Sequence, residues 1–120
     1  MNSVNSDNPI IVKTFQFSLD VIKYVKILKE DKHYIIADQL LRASTSIGAN
    51  VMEAQQAESK KDFIHKMKIS AKEAIETEYW MRLCLLSEGF PKPKQLLSDL
   101  NQIQRLLTSI ISTTKKQLAN

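Results

Sequence analysis

The stretch "LLSDLNQIQRLLTSIISTT" (residues 96–114) decides the fold. Leu96, Leu100, Ile103, Leu107, Ile110 and Thr114 recur at alternating steps of four and three, which lines them up on one seam of an α-helix. Leu97, Leu106 and Ile111 widen the seam. A half-buried strand would alternate apolar and polar residues, and this stretch does not. A helix with a broad apolar stripe has to cover it with other helices, so the preceding residues are expected to supply them.

They do so in three further segments. "GFPKP" (residues 89–93) is the clearest turn, and the last helix is expected to start near Pro93. Before it, a helix runs from "AESKKDF" to about Ser87 and stops at Gly89. Ser59 is its expected N-cap, with Asp62 in the capping-box position. At ~100° per residue, Phe63, Met67, Ala71, Ala74, Met81 and Leu85 share one side, read as the core face. Ile69, Trp80 and Leu83 fall on a second side with Glu76 among them. That side is either an extension of the core stripe or a subunit interface, where an outward tryptophan is a common anchor.

A further helix spans about Tyr34 to Gln56, with Tyr34, Ala37, Leu40, Leu41, Ile47, Gly48, Val51 and Met52 on its apolar side. Opposite lies a polar line of Arg42, Ser46, Asn50 and Glu53. Ser44, Thr45, Ser46 and Gly48 interrupt this helix with poor helix formers, which demands an explanation. The first helix runs from about Pro9 to Lys29, capped by Asp7 or Asn8. It carries two apolar stripes, Ile11–Phe15–Leu19–Ile22 and Phe17–Val21–Tyr24–Leu28, as a helix touching more than one neighbour should. "KEDKH" (residues 29–33) is the short connection that follows. The reading is all-α: a disordered tail over residues 1–8, then one up-down-up-down antiparallel four-helix bundle over residues 9–118.

Composition agrees. Hydrophobic residues make up 43% and charged residues 25% of 120, within the globular range, while Gly 2 and Pro 3 leave little material for many turns. The net charge of +4 permits an acidic partner without requiring one. Cys84 is single and lies in the apolar run "WMRLCLL", so no disulfide forms within the chain and a buried thiol is expected. The N-terminal residues lack the pattern of a signal peptide, and no run approaches the ~18 apolar residues of a membrane span; a cytoplasmic setting is expected.

Little chemistry is written into the chain. A di-metal bundle needs Glu-x-x-His pairs at mid-height. The nearest matches, Glu30 with His33 and Asp62 with His65, fall at a helix boundary and in a first turn. No phosphate-binding glycine loop and no nucleophile–base spacing stands out. The expectation is a protein with no cofactor, no metal and no catalytic residue. Glu78 is the odd carboxylate, falling near the core face, where an unpaired charge is costly. Arg42 is its expected partner if the second and third helices are antiparallel neighbours. The lysines cluster loosely, and Lys61, Lys68 and Lys72 share one side of the third helix while Lys23 and Lys26 lie on the first. These are the expected contacts for nucleic acid, made to phosphates and shape rather than to bases.

"RASTSIGAN" with "EA" following, "AESKKDFIHKM" and "KEAIETEYWMRL", in this order and spacing, resemble the 23S rRNA intervening-sequence protein family. The resemblance is strongest over residues 39–85 and extends loosely over nearly the whole chain. It implies a left-handed up-down four-helix bundle, homo-oligomers that form rings of five among relatives, and no catalytic activity. Some genes of that family lie in inserts within 23S ribosomal RNA genes. A similar bundle serves as the nucleic-acid-binding accessory subunit of diversity-generating retroelement reverse transcriptases. The resemblance also makes the line Arg42, Ser46, Asn50 and Glu53 a family feature, either a fixed polar network together with Glu78 or a solvent-facing surface. Met52 departs from the family, whose members often place a carboxylate there. The resulting expectation is a non-enzymatic oligomeric bundle that binds RNA or a ribonucleoprotein through a basic surface. The alternative is a protein-interaction scaffold with no nucleic-acid role.

Overall fold

The computed structural model describes residues 7–120, and the chain folds into four helices. They are α1 (Pro9–Glu30), α2 (Tyr34–Ala54), α3 (Lys60–Leu86) and α4 (Lys94–Ala119). Each helix packs on the next and α1 closes against α4, while the backbones of the diagonal pairs stay apart. This is the up-down four-helix bundle expected from the heptad seam of residues 96–114. Of the expected N-terminal tail, residues 1–6 lie outside the described residues.

The helix ends follow local chemistry. Asn8 is a working cap, its side-chain oxygen accepting from the Ile10 amide at 3.2 Å, with Pro9 at the first helical position. Ser59 accepts from the Asp62 amide at 3.0 Å. Asp62 reaches back one residue further than a simple capping box, to the Glu58 amide at 3.3 Å. Gly89 takes a positive φ of 83°, a conformation that only glycine adopts without strain. At this end of the bundle the His33 ring stacks on Phe90, centroids 3.9 Å apart, tying the α1–α2 connection to the α3–α4 connection.

The core of α1 is formed by Phe17, Val21, Tyr24 and Leu28, together with Ile10, Thr14 and Val25. Its other stripe remains partly open to solvent, with Leu19 and Ile22 exposed. The core face of α3 differs from the sequence expectation. Ile64, Met67, Ser70, Ala74, Thr77, Met81 and Cys84 are buried, while Phe63, Ala71 and Leu85 are only half-buried. The face is turned toward residues that hydropathy scores as polar. Their hydroxyls are satisfied: Ser70 donates to the Ile47 carbonyl of α2 at 2.8 Å, and Thr77 donates to the Glu73 carbonyl one turn back at 2.8 Å.

The same chemistry explains why α2 tolerates its run of poor helix formers. Thr45 donates to the Leu41 carbonyl and Ser46 to the Arg42 carbonyl, each at 2.7 Å, so these hydroxyls find their partners without leaving the helix. Ser44 is fully buried. Gly48 has a steric role, because a Cβ there would lie 3.3 Å from Thr14 Cβ and Oγ1 of α1. Its missing side chain sets how closely α1 and α2 approach.

Candidate functional site

The polar line of α2 forms the outer edge of the α2–α3 seam. Arg42 is exposed and bridges two carboxylates of α3, Glu73 at 3.3 Å and Glu76 in closer contact. Glu53 meets Lys66 of α3 at 4.0 Å. Between these ends, Asn50 donates to the Ser46 carbonyl at 2.8 Å, so the middle of the line bonds within α2. The hydrogen bond from Arg42 holds the Glu76 carboxyl below the usual carboxylate range, aided by a second from Trp80 Nε1 at 3.0 Å. In return, the bond to Glu76 raises the Arg42 pKa.

The expected pair Arg42–Glu78 does not form. Glu78 lies at the α3–α4 boundary, accepting from Arg82 at 2.7 Å and from Gln104 of α4 at 3.1 Å. Those bonds, Arg82 first, lower its pKa. The misassignment has a geometric cause, since Glu78 belongs to the flank of α3 that borders α4, whereas Glu73 and Glu76 border α2. The signal was present in the sequence, because Glu73 and Glu76 are spaced to share one helix side.

The second face of α3 is also less open than its composition suggests. Trp80 packs against the core cluster as a partly buried side chain, and its indole N–H is already used by Glu76. Ile69 is half-buried; Leu83 remains exposed. The larger exposed apolar residues of α3 are Ile75, Tyr79 and Leu86, which sequence reasoning passed over.

The candidate nucleic-acid residues divide into two groups. Lys61, Lys68 and Lys72 are exposed on α3, and none is ion-paired among the described residues. Lys115 of α4 joins them, and its contact with Lys68 depresses the Lys68 pKa. Lys23 and Lys26 are exposed on α1, diagonal to α3, and so lie on another side of the molecule.

The buried ionisable groups form a local structural cluster. Tyr24 donates its hydroxyl to the Pro91 carbonyl at 2.6 Å, and burial raises its pKa strongly. Burial likewise pushes the neighbouring Cys84 thiol up, away from the reactive thiolate. Among the described residues, no group of three His, Cys, Asp or Glu side chains is placed to hold a metal ion, and no helix is long and apolar enough to cross a membrane.

The class defined by this geometry is an up-down four-helix bundle with a polar-edged α2–α3 seam and a lysine surface. The family model described as 23S rRNA-intervening sequence protein matches residues 6–109, and the chain belongs to that family. A crystal structure of a protein of unknown function from the S23 ribosomal protein family of Bacteroides thetaiotaomicron VPI-5482 superposes with a TM-score of 0.81. The two are 39% identical, over 85% of this chain and 97% of that one. No curated protein matches the chain.

Proposed function

We propose that the protein is a non-enzymatic, self-associating bundle whose lysines on α3 and α4 bind the phosphates of RNA, free or within a ribonucleoprotein. The observation that carries this reading is the meeting of Lys68 and Lys115. Two ammonium groups in contact, with no carboxylate paired to either among the described residues, form a site that an anion would relieve. Lys61 and Lys72 extend it along α3. The family name refers to 23S rRNA, and the Bacteroides relative is assigned to a ribosomal protein family, which makes structured ribosomal RNA the first ligand to try.

Binding of a 23S rRNA fragment, followed by fluorescence anisotropy across a salt series, tests the reading. Phosphate-driven binding loses affinity steeply as salt rises. Lys68→Glu with Lys115→Glu should weaken binding and lower the magnitude of the salt slope by about one to two. Absent or salt-insensitive binding at low salt would remove RNA as the ligand and leave the protein-interaction scaffold.

A further inference from the structure

The lysine row of α3 runs on into an exposed aromatic ring. Lys61 and Lys68 are one heptad apart, as are Lys72 and Tyr79, so all four lie on the outward side of the helix. Tyr79 follows Lys72 by about 10 Å at the helical rise. It is 58% exposed, and its hydroxyl has no protein partner among the described residues. Ile75, one turn before it, is exposed as well and adds apolar surface on the lysine side of the ring.

The ring is held in place. Tyr79 and Trp80 meet edge to face, with centroids 5.2 Å apart and planes at 73°. Trp80 is itself fixed, packed against the core with its indole N–H on Glu76. Whichever ring supplies the edge, that contact leaves at least one face of Tyr79 uncovered. A ring fixed in this way gives up little side-chain freedom when a flat group stacks on it.

The lysines say what the flat group is. An RNA backbone laid on Lys61, Lys68 and Lys72 carries its bases to the height of Tyr79. A base inside a duplex has both faces covered by its neighbours. An unpaired base has a face to offer, and stacking on aromatic side chains is a general way of holding one. The lysines of α1 have no such neighbour, because the large exposed apolar side chains of that helix are Val12, Leu19, Ile22 and Ile27. We infer that Tyr79 is a stacking platform for an unpaired base, so the RNA taken by this face carries a loop, bulge or single-stranded end beside the phosphates on the lysines. The inference rests on the RNA binding proposed above and names the form of RNA bound. Every base has a π face, so the platform selects an unpaired nucleotide and not a sequence.

Fluorescence anisotropy with two forms of one 23S rRNA hairpin tests this: the hairpin with its loop open, and a fully paired duplex with the same number of phosphates. The wild type should bind the loop form more tightly. Tyr79→Leu keeps an apolar side chain without a π face; it should weaken the loop form by about tenfold and leave duplex binding unchanged. That unchanged duplex binding also shows that the variant is folded. Its salt slope should not move, since no phosphate contact is lost, whereas the lysine variants lower the slope for both forms. Tyr79→Trp should restore the loop affinity. A fluorescent adenine analogue in the loop should be quenched by the wild type and by Tyr79→Trp, and not by Tyr79→Leu. Equal wild-type affinity for the two forms, or Tyr79→Leu weakened equally on both, would overturn the inference while RNA binding stands. Tyr79→Leu binding the loop form as well as the wild type would do the same, and a changed assembly mass in light scattering would then assign the ring to a protein contact. A wild type that binds neither RNA at low salt would overturn the proposed function and this inference together.

Discussion

The α2–α3 seam and the α1–α4 seam are built on different principles. The first is close and keyed by polar groups: the buried Ser70 hydroxyl on the Ile47 carbonyl, Arg42 across Glu73 and Glu76, and Glu53 with Lys66. The second is open. Phe17 and Ile103 lie at the bottom of a cleft rimmed by Lys13, Gln16, Asp20, Asp99 and Gln102, and the rim carboxylates bond within their own helices. Asp20 is held by Gln16 and Asp99 by Gln95. A bundle can therefore close one seam by specific bonds and another by apolar contact alone, and the two should respond differently to the same substitution.

The largest effect comes from truncating one isoleucine in each seam. Ile47 and Ile103 are both essentially inaccessible to solvent. Either change to alanine falls in the range of about 2–5 kcal/mol, and the cost depends on how far the surroundings can collapse. Ile47→Ala should lie toward the upper end, because the keyed seam cannot relax. Ile103→Ala should lie toward the lower end, because α1 and α4 can close on the gap. Chemical denaturation of both measures the difference, and equal losses would break the comparison.

Gly48→Val comes next. The added atoms meet Thr14 at a distance where only a small shift is free, and the expected loss is about 1–3 kcal/mol. It should appear as a lower denaturation midpoint, and Thr14→Ala in the same chain should return part of it. No return would place the strain elsewhere than against α1.

Ser70→Ala is expected to cost about 1 kcal/mol, the net value of one hydrogen bond. The Ile47 carbonyl keeps its intrahelical partner, so nothing polar is stranded. A loss several times larger would mean that the hydroxyl does more than bridge the seam.

The smallest effect is at the surface. Arg42→Ala should cost the least of these changes, because an exposed ion pair is screened by solvent. Its pH dependence has a definite sign. The Glu76 pKa is lower in the folded chain than in the unfolded one, so its contribution is present above the unfolded carboxylate value. That contribution disappears as pH falls through the folded value. Glu76→Gln should therefore flatten the acid limb of the stability curve, and an unchanged limb would assign it to other carboxylates.

The bundle was legible in the sequence because its signals are periodic. The heptad seam of α4, the Ser59 cap and the Gly89 stop each specify local geometry without help from the rest of the chain. The phase of α3 was not legible. Ser70 and Thr77 count as polar in any hydropathy reading, yet both are buried: Thr77 bonds the Glu73 carbonyl of its own helix, and Ser70 bonds a carbonyl that is identified only once α2 is in place. The same gap misdirected Glu78. Its distance from the core could be guessed from the helix angle, but not which neighbouring helix it borders. The lysines of α3 were visible as a row, whereas the approach of Lys115 depends on how α4 returns alongside α3.

The chain contains one tryptophan, and its indole N–H is bonded to the carboxylate that also takes Arg42. Its fluorescence is accordingly a local optical probe. It senses the α2–α3 edge, and the α1–α4 cleft lies on the far side of the bundle from it. If the open seam loosens before the keyed one, an emission-detected melt will lag behind one followed by backbone circular dichroism. The separation between the two curves then gives a direct reading of how cooperatively the four helices come apart.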